Sequence, residues 1–168
     1  MPLKTLGSIV LLLLLAASGC KRQSETAAPP ERWAQGSLAT LAPGRYDDQD
    51  QRVEYKGKWW PDNQFPQSSG QSITYSDKPG DTFRIAFTGS AITYVFTRAL
   101  NRGIAEVRID GGPAVRINQY SAPTRWQEKQ RFGGLGPGTH TMEVRVSGDK
   151  DPASGGLFVD LDAFEVEP

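Results

Sequence analysis

The sequence is dominated by short stretches in which apolar and polar residues alternate. The clearest stretches cover 83–87, 92–96, 105–109, 142–146 and 157–161. In the first of them, Phe83, Ile85 and Phe87 occupy every second position. Successive side chains of a strand point to opposite faces, so a period of two is typical of a half-buried β-strand. No window carries the period of 3.6 that a long amphipathic helix requires.

Turn-forming sequences separate these stretches. Thr88-Gly89-Ser90, the segment 110–113 and the glycine-rich segment 133–138 each stand between two of them. Glycine allows positive φ and proline presets a turn conformation, and the chain contains 18 Gly and 12 Pro. The pattern predicts an all-β fold, which is an antiparallel β-sandwich, a jelly roll or a barrel.

The N-terminus carries a different signal. Lys4 precedes an uninterrupted apolar run over 9–17, which is too short for a helix of about 20 residues that crosses a bilayer. This run predicts a signal peptide. The sequence AASGC at 16–20 resembles the lipobox of bacterial lipoproteins, which implies cleavage after 1–19 and acylation, including palmitate, at Cys20. An ordinary secretory signal followed by a chance cysteine is the alternative.

The lipobox resemblance also implies a location. The acyl chains of a lipoprotein contribute about 0.8 kcal/mol per buried methylene, so membrane lipid would hold Cys20 permanently. The chain would be extracytoplasmic and lipid-anchored. Lys21 stands where an Asp would be associated with retention, which implies the outer membrane in an organism with two membranes.

A polar segment follows the cysteine. It contains Pro29, Pro30 and Pro43 and has no sustained period of 2 or 3.6. We therefore expect a flexible linker over 20–44 and a β-sandwich domain over 45–168. The apolar segment 38–41 is interpreted as weakly docked or unstructured, with a partner-binding helix as the alternative.

Composition and missing motifs exclude several function classes. The 19 basic residues balance the 19 acidic ones, so nucleic acid is not an expected partner. One Cys and one His exclude a disulfide framework and a multi-His zinc centre. Neither a nucleophile elbow nor a P-loop is present, and His140 follows a Gly-Pro-Gly turn. We therefore expect a protein that is not an enzyme and requires no cofactor.

A set of weak motifs follows one another through the domain. They include Val53-x-Tyr55-x-Gly57-x-Trp59, Tyr75-Ser76-x-x-x-Gly80-x-x-Phe83, Asn101-Arg102-Gly103, Ile109-Asp110-Gly111-Gly112, Gly134-Leu135, Gly138-x-His140-Thr141 and Phe158-Val159-Asp160-x-Asp162. Their order resembles the galactose-binding-like β-sandwich, the jelly roll of many carbohydrate-binding modules. The resemblance implies the fold and a glycan partner, and it says far less about the ligand itself.

Loop positions suggest where a ligand would bind. Alternate connections of an antiparallel sandwich lie at one end, which groups the loops 76–81, 97–103, 119–125 and 147–156. The candidate ligand-binding residues of this end are Arg98, Asn101, Arg102, Tyr120 and Trp126. Aromatic rings stack on the C–H faces of sugars, while amide and guanidinium groups match their hydroxyls.

Trp60 is a further candidate, because its strand parity is opposite to that of Trp59 in Trp59-Trp60-Pro61. Structural roles are the alternatives for the other five residues. Tyr120 and Trp126 would then pack at the core edge, Arg98 and Arg102 would be solvated loop charges, and Asn101 would serve a turn.

Aspartates at the two ends of the domain raise the question of a metal. Some members of the family hold a structural calcium between the first and last strands. By resemblance the ligands here would be Asp48, Asp50 and Asp162, although the usual N-terminal Glu pair of the family is absent. Solvated turn aspartates are the alternative.

The leading hypothesis is a tethered, non-catalytic lipoprotein that binds envelope or extracellular glycan. The alternative is a structural or adaptor lipoprotein that binds another envelope protein. A small glycoside hydrolase or esterase that uses two of the acidic residues is the least favoured.

Overall fold

The computed structural model describes residues 38–168, so the predicted signal peptide, Cys20 and most of the predicted linker lie outside the described residues. Strands and one 3-10 turn at Ser69–Gln71 are the regular elements of 38–168. The strands are β1 (Gly44–Asp47), β2 (Glu54–Lys56), β3 (Trp60–Asp62), β4 (Ile73–Ser76), β5 (Thr82–Thr88), β6 (Ala91–Arg98), β7 (Ile104–Ile109), β8 (Val115–Asn118), β9 (Arg125–Gly133), β10 (Thr139–Val146), β11 (Val159–Leu161) and β12 (Ala163–Glu167). Within this part of the chain, no helix has the length and apolarity needed to span a membrane.

The strands are arranged in three sheets. The five-stranded sheet has the order β2-β5-β10-β7-β8, the four-stranded sheet the order β1-β12-β6-β9, and the three-stranded sheet the order β11-β4-β3. All neighbouring strands in them are antiparallel. The prediction of an all-β, antiparallel β-sandwich is confirmed.

The core lies where the apolar positions of the larger sheets meet. Phe83 and Phe87 of β5 and Tyr94 and Phe96 of β6 are completely or almost completely buried. The rings of Phe83 and Tyr94 lie 5.9 Å apart and join the five-stranded sheet to the four-stranded one. Each large side chain buried in this way contributes about 1.5–3 kcal/mol to folding.

Strand β6 departs from the half-buried pattern, because both of its faces are buried. Of its outward residues, Thr93 is 5% exposed and Val95 is fully buried. Strands β9 and β12 flank β6, and Lys129 Nζ of one lies 2.9 Å from Glu165 Oε1 of the other. This ion pair passes over the central strand and shields it from water.

The N-terminal limit of the domain differs from the sequence interpretation. Leu41 is fully buried, donates its N–H to the Ala86 carbonyl at 2.9 Å and accepts from the Thr88 N–H at 2.8 Å. The folded part therefore includes Leu41, ahead of the predicted start at Arg45. A single apolar residue between prolines and glycines has no period, so its docking could not be read from local sequence.

Hydrogen bonds confirm the expected grouping for three of the four loops. The Ala99 N–H donates to the Gln119 carbonyl at 3.2 Å, and the Gly155 N–H donates to the Leu100 carbonyl at 2.8 Å. Loops 97–103, 119–125 and 147–156 therefore meet at one end of the sandwich. The tight turns meet at the other end, where the Leu135 N–H donates to the Ser90 carbonyl at 3.1 Å.

Candidate functional site

Three aromatic side chains lie side by side across the three-stranded sheet. Trp60 of β3 is opposite Tyr75 of β4 in the strand register, and their ring centroids are 6.1 Å apart. Phe158, just before β11, meets Tyr75 edge to face at 5.5 Å. Trp60 is 39% exposed and the other two rings are half-buried. We call Trp60, Tyr75 and Phe158 the aromatic row; it offers apolar ring surface at the protein exterior.

The loop that carries Asn101 and Arg102 closes against one end of the aromatic row. The Phe158 N–H donates to the Asn101 carbonyl at 3.3 Å, and the Gly103 N–H donates to the Phe158 carbonyl at 2.9 Å. A Cβ on Gly156 would lie 2.7 Å from the Asn101 carbonyl oxygen. Glycine at this position is what allows the two loop backbones to approach so closely.

Arg102, expected as a ligand-binding candidate, is buried. Its Nη2 lies 3.0 Å from Asp160 Oδ2, and Asp160 itself is completely buried. Its Nη1 donates to Asn101 Oδ1 at 3.1 Å. A guanidinium only donates hydrogen bonds, so the Asn101 atom that faces it must be the oxygen. Arg102 therefore positions Asn101, and the Asn101 Nδ2 group has no partner within 38–168.

A buried polar network supports this loop from below. Tyr94 donates its hydroxyl proton to the Asp160 carbonyl, and Gln119 Nε2 donates to the Tyr94 oxygen at 2.9 Å. Burial raises the pKa of Tyr94 well above its usual value, so the hydroxyl stays protonated. Asp160 Oδ1 accepts from the Thr97 N–H at 3.0 Å. Gln119 was not identified from the sequence, because its hydrogen-bond partner Tyr94 is distant in the chain.

Arg98 and Arg125 face each other across β6 and β9. They are directly paired in the register, just beyond an irregularity that follows Phe96. Arg98 Nε lies 3.3 Å from Glu128 Oε2, whereas Arg125 is exposed. Tyr120 is bridged to Ala99, the residue after Arg98. Two candidates from the sequence, Arg98 and Tyr120, thus belong to the segments beside Arg125, which was not selected from the sequence.

Trp126 is not part of the aromatic row. Its ring lies 5.4 Å from that of Phe65, and both side chains are half-buried. The next residue, Gln127, has a φ of 53° and donates from Nε2 to the Gln67 carbonyl at 2.9 Å. Phe65 was missed by the sequence analysis, although an isolated aromatic residue in the polar segment 62–67 was a usable signal.

A cavity of about 310 Å³ lies on the other side of the three-stranded sheet. Its lining residues are Asp48, Gln49, Asp50, Gln51, Val53, Tyr55, Trp59, Pro61 and Thr74. Asp48 is fully buried and accepts 2.6 Å hydrogen bonds from the Ser72 and Thr74 hydroxyls. Burial raises the pKa of Asp48 to about 6, although both hydroxyls oppose this.

The three aspartates expected to bind calcium have separate partners. Asp50 is paired with Arg52 at 2.7 Å, and the Arg52 hydrogen bond lowers the pKa of Asp50. Asp162 is fully buried and accepts from the Ser69 N–H at 2.7 Å, while its Oδ2 has no partner. Burial raises the pKa of Asp162 to about 6.

These aspartates do not fit a calcium centre as a set. In 38–168, no group of three or more His, Cys, Asp or Glu side chains is placed to hold a metal ion. The hydroxyls on Asp48 and the guanidinium on Asp50 occupy the oxygens that a cation would need. Calcium binding stays a prediction, and no step of the proposed function depends on it.

His140 lies away from these residues, at the tight-turn end. Its Nδ1 is 2.7 Å from Asp110 Oδ2 and its Nε2 is 2.7 Å from the Gly136 carbonyl oxygen. Hydrogen bonds that the imidazole makes to the Asp110 carboxylate and, second, to the Gly136 carbonyl raise the pKa of His140. The histidine therefore ties two turns together.

Comparison with known proteins finds one similar curated protein and several similar solved structures. No family model matches the chain. Among curated proteins, an A type blood N-acetyl-alpha-D-galactosamine deacetylase from Flavonifractor plautii is 30% identical over 98 residues. The match covers 58% of this chain but 13% of the deacetylase.

Solved structures show the same fold. A Paenibacillus xanthan lyase is similar with a TM-score of 0.59 and 14% identity, over 78% of this chain and 14% of the lyase. A two-domain esterase active on acetylated mannans is similar with a TM-score of 0.58 and 18% identity, over 88% of this chain and 43% of the esterase. These likenesses agree with the expected galactose-binding-like β-sandwich.

The expectation that the chain is not an enzyme is wrong. The similar curated protein is a deacetylase, and the structural neighbours include an esterase active on acetylated mannans. The expectation rested on the absence of catalytic motifs from one short chain. That absence does not exclude an enzymatic role for a larger protein that contains a domain of this kind. The chain is thus similar to β-sandwich parts of carbohydrate-active proteins.

Proposed function

We propose that this chain is a β-sandwich that binds carbohydrate and takes part in the reaction of a carbohydrate-active enzyme. We propose further that the aromatic row binds the glycan. The row formed by the exposed Trp60 and the half-buried Tyr75 and Phe158 is the observation that carries the proposal. Sugar rings present C–H groups on their faces, and aromatic surface at the protein exterior is the usual complement of those groups.

Asn101 supplies the polar part of the proposed site. Its Oδ1 is occupied by Arg102, so it offers N–H donors beside Phe158. A glycan lying on the row would direct an acceptor oxygen, from a hydroxyl or an acetyl group, toward Nδ2. Because Arg102 is held by Asp160, the amide is oriented before the ligand arrives, which reduces the entropy cost of binding.

The similar proteins support an enzymatic context. One is a deacetylase of an N-acetylated sugar and another is an esterase active on acetylated mannans. We therefore place acetylated glycans first among the substrates to test. No comparison favours the adaptor alternative.

Attachment to the membrane is part of the same proposal. The apolar run 9–17 and the position of Cys20 after small residues support a lipid anchor outside the cytoplasm. Such an anchor would keep the aromatic row near the glycans of the envelope.

The test is retention of the full chain on immobilised neutral, acetylated and acidic polysaccharides. We expect Trp60→Ala to weaken retention at least about fivefold, as truncation of a central aromatic contact does. Val115→Ala is the matched control, since Val115 is 45% exposed on the five-stranded sheet and should leave retention unchanged. Equal retention of Trp60→Ala and the unaltered chain would contradict the proposed site.

Release of acetate from the acetylated polysaccharides is measured in the same samples. Release that follows retention would place the reaction in this chain. Retention without release would assign the chain to the binding step of the chemistry.

A further inference from the structure

Arg125 is the unpaired arginine of the described domain. Every other arginine in 38–168 has a carboxylate or a backbone carbonyl as its partner. Arg125 has neither within that range, and it lies directly opposite Arg98 in the β6–β9 register. Like charges at directly opposed positions destabilise a sheet, so the fold itself gives no reason for this pairing.

The surrounding acidic groups do not compensate the two arginines. Among the described residues, Glu128 is paired with Arg98 and not with Arg125. Its Oε2 lies 3.3 Å from Arg98 Nε, and this Nε makes no well-aligned hydrogen bond. In the neighbouring loop 147–156, Asp149 is 2.6 Å from Arg116 and Asp151 accepts from Asn118 at 2.9 Å. An excess of positive charge therefore remains at Arg125.

An aromatic side chain borders this charge. Tyr120 is bridged to Ala99, the residue after Arg98. The Tyr120 hydroxyl has no hydrogen-bond partner in the described part of the chain. Trp126 does not belong to this surface, because it points to the opposite face of β9 from Arg125 and packs on Phe65. We call Arg98, Tyr120 and Arg125 the cationic edge. It combines ring surface with unpaired donors, and both are suited to a charged sugar.

The cationic edge is continuous with the aromatic row. Loop 99–103 begins directly after Arg98, and Asn101 in this loop contacts Phe158 of the row. The Cα atoms of Arg98 and Asn101 are at most about 10 Å apart, since they are three residues apart in the chain. A single oligosaccharide can therefore contact both surfaces.

We propose that the cationic edge binds the carboxylate of a uronic-acid unit in a glycan whose neighbouring unit lies on the aromatic row. This inference rests on the proposed function and adds the chemical class of the ligand. The planar guanidinium of Arg125 presents paired N–H groups that match a carboxylate, and a carboxylate beside it offsets the repulsion from Arg98.

The test compares two polysaccharides that differ only at the carboxyl group, which is charged in one and a neutral methyl ester in the other. Binding of the full chain to polygalacturonate and to its methyl ester is measured in EDTA, which removes bridging by calcium. We expect about tenfold tighter binding to polygalacturonate, because hydrogen bonds to a charged group are the stronger ones. The preference should fall as salt is added, because both groups are solvent-exposed.

Variants of β9 locate the effect. Arg125→Gln should abolish the preference and raise the midpoint of thermal unfolding, since it removes a like-charge pair. Arg125→Lys should keep part of the preference, because it retains the charge without the planar fork. Arg131→Gln is the matched control on the same strand, because Arg131 is paired with Glu167 at 2.7 Å; it should retain the preference.

The outcomes separate this inference from the proposed function. Equal binding of polygalacturonate and its methyl ester would overturn the uronate inference and leave glycan binding standing. An unchanged preference in Arg125→Gln would overturn the assignment to the cationic edge. Tighter binding to a sulfated polysaccharide than to polygalacturonate would overturn the choice of carboxylate. Failure to bind any polysaccharide would overturn the proposed function and this inference together.

Discussion

Arg102 and Asp160 form a buried ion pair under the loop that presents Asn101, with 3.0 Å between Arg102 Nη2 and Asp160 Oδ2. The carboxylate is completely buried and the guanidinium is nearly so. The pair lies between the aromatic row and the core network of Tyr94 and Gln119. The geometry of the candidate site thus depends on charges that do not themselves reach the surface.

Removing one partner of this pair should be costly. Asp160→Asn leaves the Arg102 charge buried without compensation, and we expect a loss of roughly 3 kcal/mol in the free energy of unfolding. Denaturant unfolding measures this value. Glu167→Gln is the control, because it breaks the exposed pair with Arg131 and should cost at most about 1 kcal/mol. Similar losses in both variants would show that the pair at Asp160 is not effectively buried.

Stability should fall as the pH rises from about 4 to about 6. Burial raises the pKa of Asp48 and of Asp162 from 3.8 to about 6, so in this range the folded chain binds more protons than the unfolded chain. A group whose folded pKa is raised in this way favours folding below its unfolded pKa and loses that contribution as the pH approaches the folded value. For one such carboxyl the difference is roughly 3 kcal/mol.

Urea unfolding at several pH values between 4 and 7.5 measures this dependence. Asp162→Asn should reduce this dependence to the part contributed by Asp48, since an amide of similar shape stays neutral throughout. Asp50→Asn is the control, because the Arg52 hydrogen bond lowers the pKa of Asp50 and that group acts only at lower pH. If the Asp162→Asn variant kept the full pH dependence of stability, the effect would have to come from groups other than Asp162.

Gly89 should not tolerate a side chain. A Cβ there would lie 2.1 Å from the backbone carbonyl oxygen of Glu167, which is held by the Ser90 N–H. We expect Gly89→Ala to lower the free energy of unfolding by about 2 kcal/mol. Gly136→Ala is the matched control, because its Cβ would meet nothing within 4 Å and should cost little. Thermal unfolding of both variants checks the difference.

Leu41 should contribute to stability as a core residue. Its side chain is fully buried, and its backbone N–H and carbonyl both form hydrogen bonds with β5. Leu41→Ala should therefore lower the free energy of unfolding by about 2–5 kcal/mol. Leu100→Ala removes the same atoms from a side chain that is 57% exposed, and it should be nearly neutral. Chemical denaturation compares them. If Leu41→Ala left the free energy of unfolding unchanged, the segment around Leu41 would belong to the linker and not to the folded domain.

Part of this fold follows from local pattern. The alternation at 83–87 and 92–96 predicts strands β5 and β6, and Phe83 and Tyr94 are buried as their parity requires. The tight turn at Asp110 and Gly111 lies where the sequence places it, between β7 and β8. Such features depend on residues close in the chain, so the sequence alone indicates them.

The candidate site followed from the sequence only in part. Trp60 was selected by strand parity and is exposed, as that argument requires. Arg102 was selected as a loop charge but is buried against Asp160, a residue far along the chain. Trp126 lies on Phe65, next to a register irregularity of β9 at which Gln127 has a φ of 53°. A local pattern carries no information about a bulge or a distant counter-charge.

What the sequence by itself determined is the all-β class, the positions of several strands along the chain and the end of the sandwich where the polar loops gather. These follow from the two-residue period and from the reversal of direction at each turn. Only the tertiary structure decided that Asn101 is oriented by a buried ion pair, that Tyr75 and Phe158 complete a row with Trp60, and that Arg125 is left without a partner. Each of these depends on contacts between distant segments, which form only when the sheets pack.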